Sequence, residues 1–438
     1  MADFQPFQAL SYNLDRLRQQ PERGAGLADV LTEPYDKITP EMQAAYYGRH
    51  DHNIVRVILG REEAGDTNQH NKYTRAAGSF RAWQQEKFLV RRDQPAIFAY
   101  EQTFRVGGRE LTRRALIGRV RLSRPEEGQI LPHERTLSKP KADRLNLLRH
   151  AQAHFGQIFL LYPGSGAELA AARAAATPMA KFEDAYGIRH RLTAIEEGAD
   201  LKVVQQALRP LKFYIADGHH RFETSLNYRE EMRRQHPNAG PDAPFEFTMA
   251  TLVAMDDPGL VVLPTHRLVH NIASFSADAL RGALAEWFNL EPAADLNALL
   301  ARMGQAPADD HWFGLFLPDS GFTLLKLRRD RDRAPLFAGQ PPLWENLDVA
   351  ILHTVILDRM LGINEERLRE ESNLHYLREA AAGVESVRGG QGQAFFLLNP
   401  TPVRAVQAIA DARSRMPQKS TDFYPKLPTG MTIYDVSV

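Results

Sequence analysis

The stretch "KFYIADGHHRFETSLNYREE", residues 212–231, decides how the chain is read. An apolar run from Phe213 to Ala216 stops at Asp217-Gly218, and a polar segment of helical character follows at once. A buried strand that runs straight into a helix delivers its next side chains to the strand's carboxyl end. The first amides of that helix lack intrahelical partners and carry the positive end of its dipole, which suits an anion. Gly218 can let the backbone approach a phosphate closely or adopt positive φ. Arg221 can fork onto phosphate oxygens, and His219 and His220 can donate to phosphate or hold a metal. Asp217 can orient a histidine or hold a magnesium ion. The structural alternative is a helix capped by Asp217, with both histidines bonded to nearby backbone. Four site-type side chains within five positions, directly after an apolar strand, favour a functional turn.

Working outward, apolar runs and helical patterns alternate, as in mixed α/β proteins. "NIVRVILG" (53–60) reads as a strand and 67–86 as a helix. Residues 96–123 read as a hairpin turning at Gly107-Gly108, its alternating arginines on a solvated face. A helix is expected over 143–155, a strand over 157–162 and an alanine-rich helix over 166–180. "IRHRLTAIE" then reads as a strand and 199–209 as a helix. Strand patterns recur in "EFTMATLVAM" and "LVVLPTHRLV". A second hairpin is expected at 317–327, a helix at 347–360, the strand "AFFLLNP", a helix at 402–413 and a closing loop at 416–431. Soft boundaries near 125 and 270 divide the chain into an N-terminal α/β region (1–125), a core (126–270) and a C-terminal α/β region (271–438).

Composition bounds the function. The 438 residues are enough for two or three domains. Lysine plus arginine equals aspartate plus glutamate at 54 each, which disfavours a nucleic-acid or anionic-membrane coat. No apolar window reaches the length of a membrane span, and "MADFQPFQAL" lacks the pattern of a signal peptide, so a cytoplasmic protein is expected. The absence of cysteine removes disulfides, thiolate catalysis and cysteine-bound zinc. Neither a Walker loop nor a Rossmann glycine fingerprint is present: "GAGLAD" (24–29) lacks the third glycine.

A second polar cluster is "LPHERTLSKPKADR" (131–144), holding His133, Glu134, Arg135, Lys139, Lys141 and Arg144 in a prospective loop before a helix. Cations around Glu134 keep it ionised, which suits a base or a metal ligand. By itself the stretch also reads as a charged surface loop. His150 and His154, four apart, read as ordinary helix histidines in the absence of a zincin pattern.

Taken in order, "PFQALSYN", "EPYDKIT", "HERTLSKPKADRLNLL", "YIADGHHR", "LPTHRLV", "NLDVAILHTVIL" and "MPQKSTDFYPKLPTGM" resemble the motifs of the domain of unknown function 1015 family, over most of the chain. That family is related to free-serine kinases of the ParB/sulfiredoxin-like fold. The resemblance implies a ParB-like nucleotide-binding core in which Gly218, His219, His220 and Arg221 cradle the phosphates of ATP or ADP. It implies that Glu134, following His133, is the base on a substrate hydroxyl, and that Asp217 places substrate or Mg2+. Sulfiredoxin chemistry is excluded, because His219 stands where its cysteine is needed. Tyr35, Asp36, His266, Lys419, Ser420, Thr421 and Lys426 are flagged by the family motifs without an assigned role, beside His133, Arg135 and Arg144. The chain departs from the compact kinases in its long span between Glu134 and Asp217 and in its long tail. The implied activity is nucleotide-dependent phosphoryl transfer to a small hydroxyl compound, with free L-serine first. The alternative is a non-catalytic nucleotide sensor.

Overall fold

In the computed structural model, all residues except 20–25, 135–137, 197 and 371 are described. The hairpin forms where the glycines place it. Strand Ile97–Val106 returns as Arg109–Arg121 through Gly107 and Gly108, at φ 57° and 77°. Two positive φ values in a two-residue turn match the twist of the flanking strands, and glycine meets them without a Cβ clash.

Two compact units divide the chain. The first comprises 1–132, 136–261 and 425–438, and the second 133–135 and 262–424. The main sheet of the first unit is built from β1 (Phe4–Gln5), β2 (Ile97–Val106), β3 (Arg109–Arg121), β4 (Ile130–Leu131), β5 (Ile158–Tyr162), β6 (Thr177–Glu183), β7 (Arg189–Ile195), β8 (Phe213–Asp217) and β9 (Phe247–Ala254). They form one mixed sheet in the order β4-β8-β5-β9-β3-β2-β7-β6, with β1 on β3. The sheet continues across position 125, since β9 pairs antiparallel with β3 and parallel with β5. Strand β8 lies between β4, parallel to it, and β5, antiparallel.

Helices α1 (Lys72–Gln85), α2 (Ser138–Ala151), α3 (Gly198–Leu208) and α4 (His219–Gln235) complete the framework around the site. Val204 and Leu208 of α3 pack with Ile97, Leu116, Leu160 and Phe213 in one core, which Phe222 of α4 also enters. Phe213 is wholly buried. Cutting it to alanine would cost about 3–5 kcal/mol, and β8 ends directly at the polar turn.

Several local expectations are corrected. Lys141 and Arg144, expected in a loop, lie within α2, and His154, expected on a helix, lies in the short strand Ala153–His154. Residues 53–60 form a short helix, Val55–Ile58, in place of a strand. The Asn53 side chain accepts the Val55 amide at 2.9 Å and donates to the Asp29 carbonyl at 2.7 Å, which fixes a turn at the point where a strand would start. The helix expected over 166–180 is confined to Ala170–Ala174, because Pro178 cannot continue it. The chain instead becomes β6, the last strand in the sheet order, where a proline is tolerated. Finally, the hairpin's arginines are not uniformly solvated. Arg105, Arg109 and Arg114 are exposed, but Arg113 is buried, donating to the Gln102 side chain and to the Pro425 carbonyl at 2.6 Å. Burial pushes its guanidinium down to about 10.

The second unit has its own sheet: β10 (His266–Val269), β11 (Phe288–Ala293), β12 (Trp312–Leu317), β13 (Gly321–Leu327), β14 (Leu374–Leu377) and β15 (Ala394–Leu397), ordered β11-β13-β12-β15-β10-β14. Helices α5 (Ala277–Trp287), α6 (Leu296–Met303) and α7 (Ala380–Arg388) accompany it. Leu299 and Met303 of α6 and Val384 and Val387 of α7 pack with Leu324, Phe395 and Leu397 of the sheet. The helix expected over 347–360 is present in an altered form. One α-turn, Asp348–Ile351, runs into a π-helical segment, Leu352–Met360.

Candidate functional site

Strand β8 ends at Asp217, and Gly218 starts α4 at φ 90° and ψ 27°, a left-handed conformation that glycine adopts readily. Gly218 has no side chain to cap the helix, both Asp217 oxygens are directed to cations instead, and the first backbone bond runs from the Phe222 amide to the Gly218 carbonyl at 2.9 Å. Asp217 is thus not the cap. Its Oδ2 accepts from Arg221 Nη2 at 3.0 Å, one helical turn on, and its Oδ1 from Lys426 Nζ at 3.3 Å. Burial raises the carboxyl, but the charges of Lys426, Arg221, His219 and Lys37 outweigh it and hold the group well below the usual carboxylate range.

Both cations are fixed from behind. Arg221 Nη1 donates to the Gln157 carbonyl at 2.5 Å. A Cβ at Gly156 would stand 3.1 Å from that nitrogen, so the glycine before β5 leaves the guanidinium its place. Lys426 is carried by a segment that Gln102 and Arg113 grip through the Lys426 and Pro425 carbonyls, at 3.0 and 2.6 Å. The buried arginine of the hairpin therefore positions the lysine.

A cleft in the first unit lies beside this turn, lined by Tyr35, Arg144, His154, Gly156, Arg221 and Thr224 among others. The Arg144 guanidinium sits 4.1 Å from the centre of the Tyr35 ring. It donates to the Ile58 carbonyl at 2.6 Å and to Asp143 at 2.8 Å. Burial first, then the charge of Asp36, push the Tyr35 phenol up to about 12 against the pull of Arg144 and Arg221. Asp36 itself is exposed in the turn Tyr35–Lys37. His154 stacks on Tyr434, with ring centres 6.1 Å apart, and burial pushes it down to about 4. Lys141 bonds Glu223 at 2.8 Å and so ties α2 to α4.

His219 and His220 open α4, with His219 buried; His133, Glu134, His266, Lys419, Ser420 and Thr421 belong to the second unit. The His133 carbonyl accepts the Met416 amide at 2.6 Å, and His133 Nε2 lies 3.2 Å from the Thr421 hydroxyl. Glu134 Oε1 accepts the Lys419 amide at 3.3 Å, where Lys419 holds φ 56°. Ser420 is buried and donates to the Pro417 carbonyl at 2.6 Å. His266 is buried in β10, and its Nδ1 accepts the Leu398 amide at 3.2 Å. Burial, and then Arg267, push it down to about 4. Arg135 lies outside the described residues. The structure thus brings Asp217, Gly218, Arg221 and Lys426 together, and Glu134, His133, Lys419 and Thr421 together, in separate units.

The geometry suits phosphate better than a resident metal. Both Asp217 oxygens already face cations, and the described residues hold no group of three or more histidine, aspartate or glutamate side chains fit to bind an ion. Magnesium does not fit this turn unaided.

A family model described as a protein of unknown function, DUF1015, matches residues 4–350. The chain belongs to this family. Among curated proteins none matches. Of solved structures, a conserved hypothetical protein from Pyrococcus furiosus is 13% identical, with 69% of this chain and 91% of that chain covered and a TM-score of 0.32. A free serine kinase in complex with AMP is 12% identical, with 69% and 89% covered and a TM-score of 0.34. SbnI with C-terminal truncation, from Staphylococcus aureus, is 8% identical, with 70% and 83% covered and a TM-score of 0.32. The DUF1015 chain has the mixed α/β architecture expected of it, and no described helix is long and apolar enough to cross a membrane.

Reading the sequence alone missed Gln157 and Gly156 as the seat of Arg221, and Arg113 as the anchor of the Lys426 segment. A glycine just before an apolar strand was the available signal for the first. Nothing in the alternation of the hairpin set Arg113 apart from its exposed neighbours.

Proposed function

We propose that this DUF1015 protein is a phosphotransferase that moves a phosphoryl group from ATP or ADP to a small hydroxyl compound, with free L-serine the foremost acceptor. The observation that carries the reading is the turn at Gly218. A buried strand meets a 17-residue helix at a left-handed glycine that contributes no side-chain cap, and Arg221 and Lys426 are held beside it on Asp217. Phosphoryl transfer asks little more of a protein than positioning and charge neutralisation. The helix start and the two cations face the phosphates, with His219 and His220 in the same first turn. Asp217 keeps the cations in register. The family motifs assign Glu134 as the base that takes the hydroxyl proton as the acceptor oxygen bonds to phosphorus and the bond to the departing nucleotide breaks.

Titration calorimetry with ATP and with ADP tests the turn. Gly218→Ala places a Cβ 3.0 Å from Arg221 Nη2 and strains the backbone at φ 90°, so nucleotide affinity falls at least tenfold. Equal affinity in the variant removes the turn from the nucleotide site. The Glu134 contact with the Lys419 amide favours a second reading, in which this carboxylate pins a loop in a nucleotide sensor without catalysis. A sensor tolerates Glu134→Gln with its nucleotide response intact, whereas a kinase loses turnover.

A further inference from the structure

The second unit contains a cleft of about 190 Å³ that the proposed reaction does not use, lined by Trp344, His353, Thr354, Asp358, Ile363 and Tyr376 among others. All of these six but Trp344 lie beyond residue 350, where the family match ends.

The π-helical segment Leu352–Met360 shapes this cleft. At about 100° per residue, an α-helix would point positions 353 and 358 roughly 140° apart. The wider turn of a π-helix, bonded five residues on, stacks them on one side, and both line the cleft. Such segments are rare and concentrate at functional sites.

His353 is buried, at 7% exposure, and Arg267 Nε donates to its Nε2 at 3.4 Å. An arginine does not give up its proton, so His353 must accept at Nε2 and carry its own hydrogen on Nδ1. Among the described residues no protein atom receives that Nδ1–H, while the ring borders the cleft. Arg267 itself is wholly buried. It lies 4.7 Å from the centre of the Tyr376 ring and donates to the carbonyls of Thr265 and Lys419, with no carboxylate salt bridge among the described residues. Its positive charge stands beside His353 and Tyr376, and Glu134 also acts on it without a salt bridge. Burial, and then Arg267, hold the imidazole well below its usual range, so it is a neutral donor at physiological pH. Asp358 is exposed and adds an anionic acceptor at the same cleft.

We propose that this cleft binds a small zwitterion of the amino-acid class, with its carboxylate on the His353 Nδ1–H and its ammonium group on Asp358. Trp344 and Ile363 pack against the aliphatic part. A volume of about 190 Å³ holds a molecule of that size. The site stands independently of the phosphate turn.

The test titrates the full chain, without nucleotide, with glycine, L-alanine, L-serine, L-glutamine and L-leucine separately, beside propionate and ethylamine. Trp344 fluorescence and calorimetry are the readouts. At least one amino acid is expected to saturate the protein, with both half-molecules at least tenfold weaker. Asp358→Asn, an exposed change that preserves the fold, weakens binding at least tenfold, and His353→Gln does the same. Absence of saturation by any of the five, saturation unaltered in Asp358→Asn, or propionate binding as tightly as the amino acid would each overturn the assignment.

Discussion

Replacing Asp217 with asparagine tests the electrostatic design of the turn. The side chains of Arg221 and Lys426 are only 17% and 10% exposed, and that of Asp217 is 27% exposed. At an effective dielectric constant of about 20, each contact near 3 Å is worth roughly 5 kcal/mol before desolvation is counted. Desolvation cancels much of this. Breaking a buried pair by removing one partner costs about 3–5 kcal/mol, and the partial exposure of Asp217 draws the figure to about 3 kcal/mol. Calorimetric unfolding at pH 7 should show the first unit's transition lowered by roughly 6–12 °C. The folded carboxyl is held below its unfolded value near 4, so its stabilisation is complete above that pH and disappears as pH falls through the depressed folded value. The penalty of Asp217→Asn should therefore shrink below about pH 4. Adding Lys426→Met to Asp217→Asn removes a stranded cation and should restore about 1 kcal/mol or more. A loss under about 0.5 kcal/mol for Asp217→Asn, or further destabilisation by Lys426→Met in that background, would refute the triad as described.

Three further outcomes are expected. Gly218→Ala should cost about 1–2 kcal/mol in chemical denaturation through its left-handed backbone, apart from its effect on nucleotide binding; a neutral result would contradict the φ of 90°. His266 is held near 4 in the fold against about 6.5 unfolded, so the second unit should lose stability as pH falls from about 6.5 towards 4, by roughly 3 kcal/mol. His266→Gln should flatten that slope in urea titrations across the range, and superimposable profiles would show that the histidine titrates freely. Arg113→Met should release the Lys426 segment and weaken nucleotide binding, read by calorimetry, without touching the phosphate turn directly.

The strand-to-helix turn was legible because two periodicities meet at Asp217-Gly218, and the hairpin because two glycines interrupt an alternating run. Family motifs carried Glu134 and Lys426 into view, but not what each touches. Short-range patterning failed where side chains override it. Asn53 turns an apolar run into a helix through its own hydrogen bonds, and Pro178 converts an alanine-rich segment into a strand. The π-helical segment reads as an ordinary helix, since its composition does not betray the extra residue per turn. Arg113 and Arg267 are buried through partners more than a hundred residues away, Pro425 for one and Lys419 for the other, and no local window contains such a contact.

Phosphorus NMR of the purified protein with magnesium and L-serine, with ATP and ADP in separate tubes and Glu134→Gln alongside, tests the central claim most directly. A new phosphomonoester resonance from the wild-type protein is the predicted result. It should form about 10²–10⁴-fold more slowly in Glu134→Gln, while nucleotide binding persists. Nucleotide binding with no new resonance from either donor would contradict the serine-kinase reading and leave the sensor in its place.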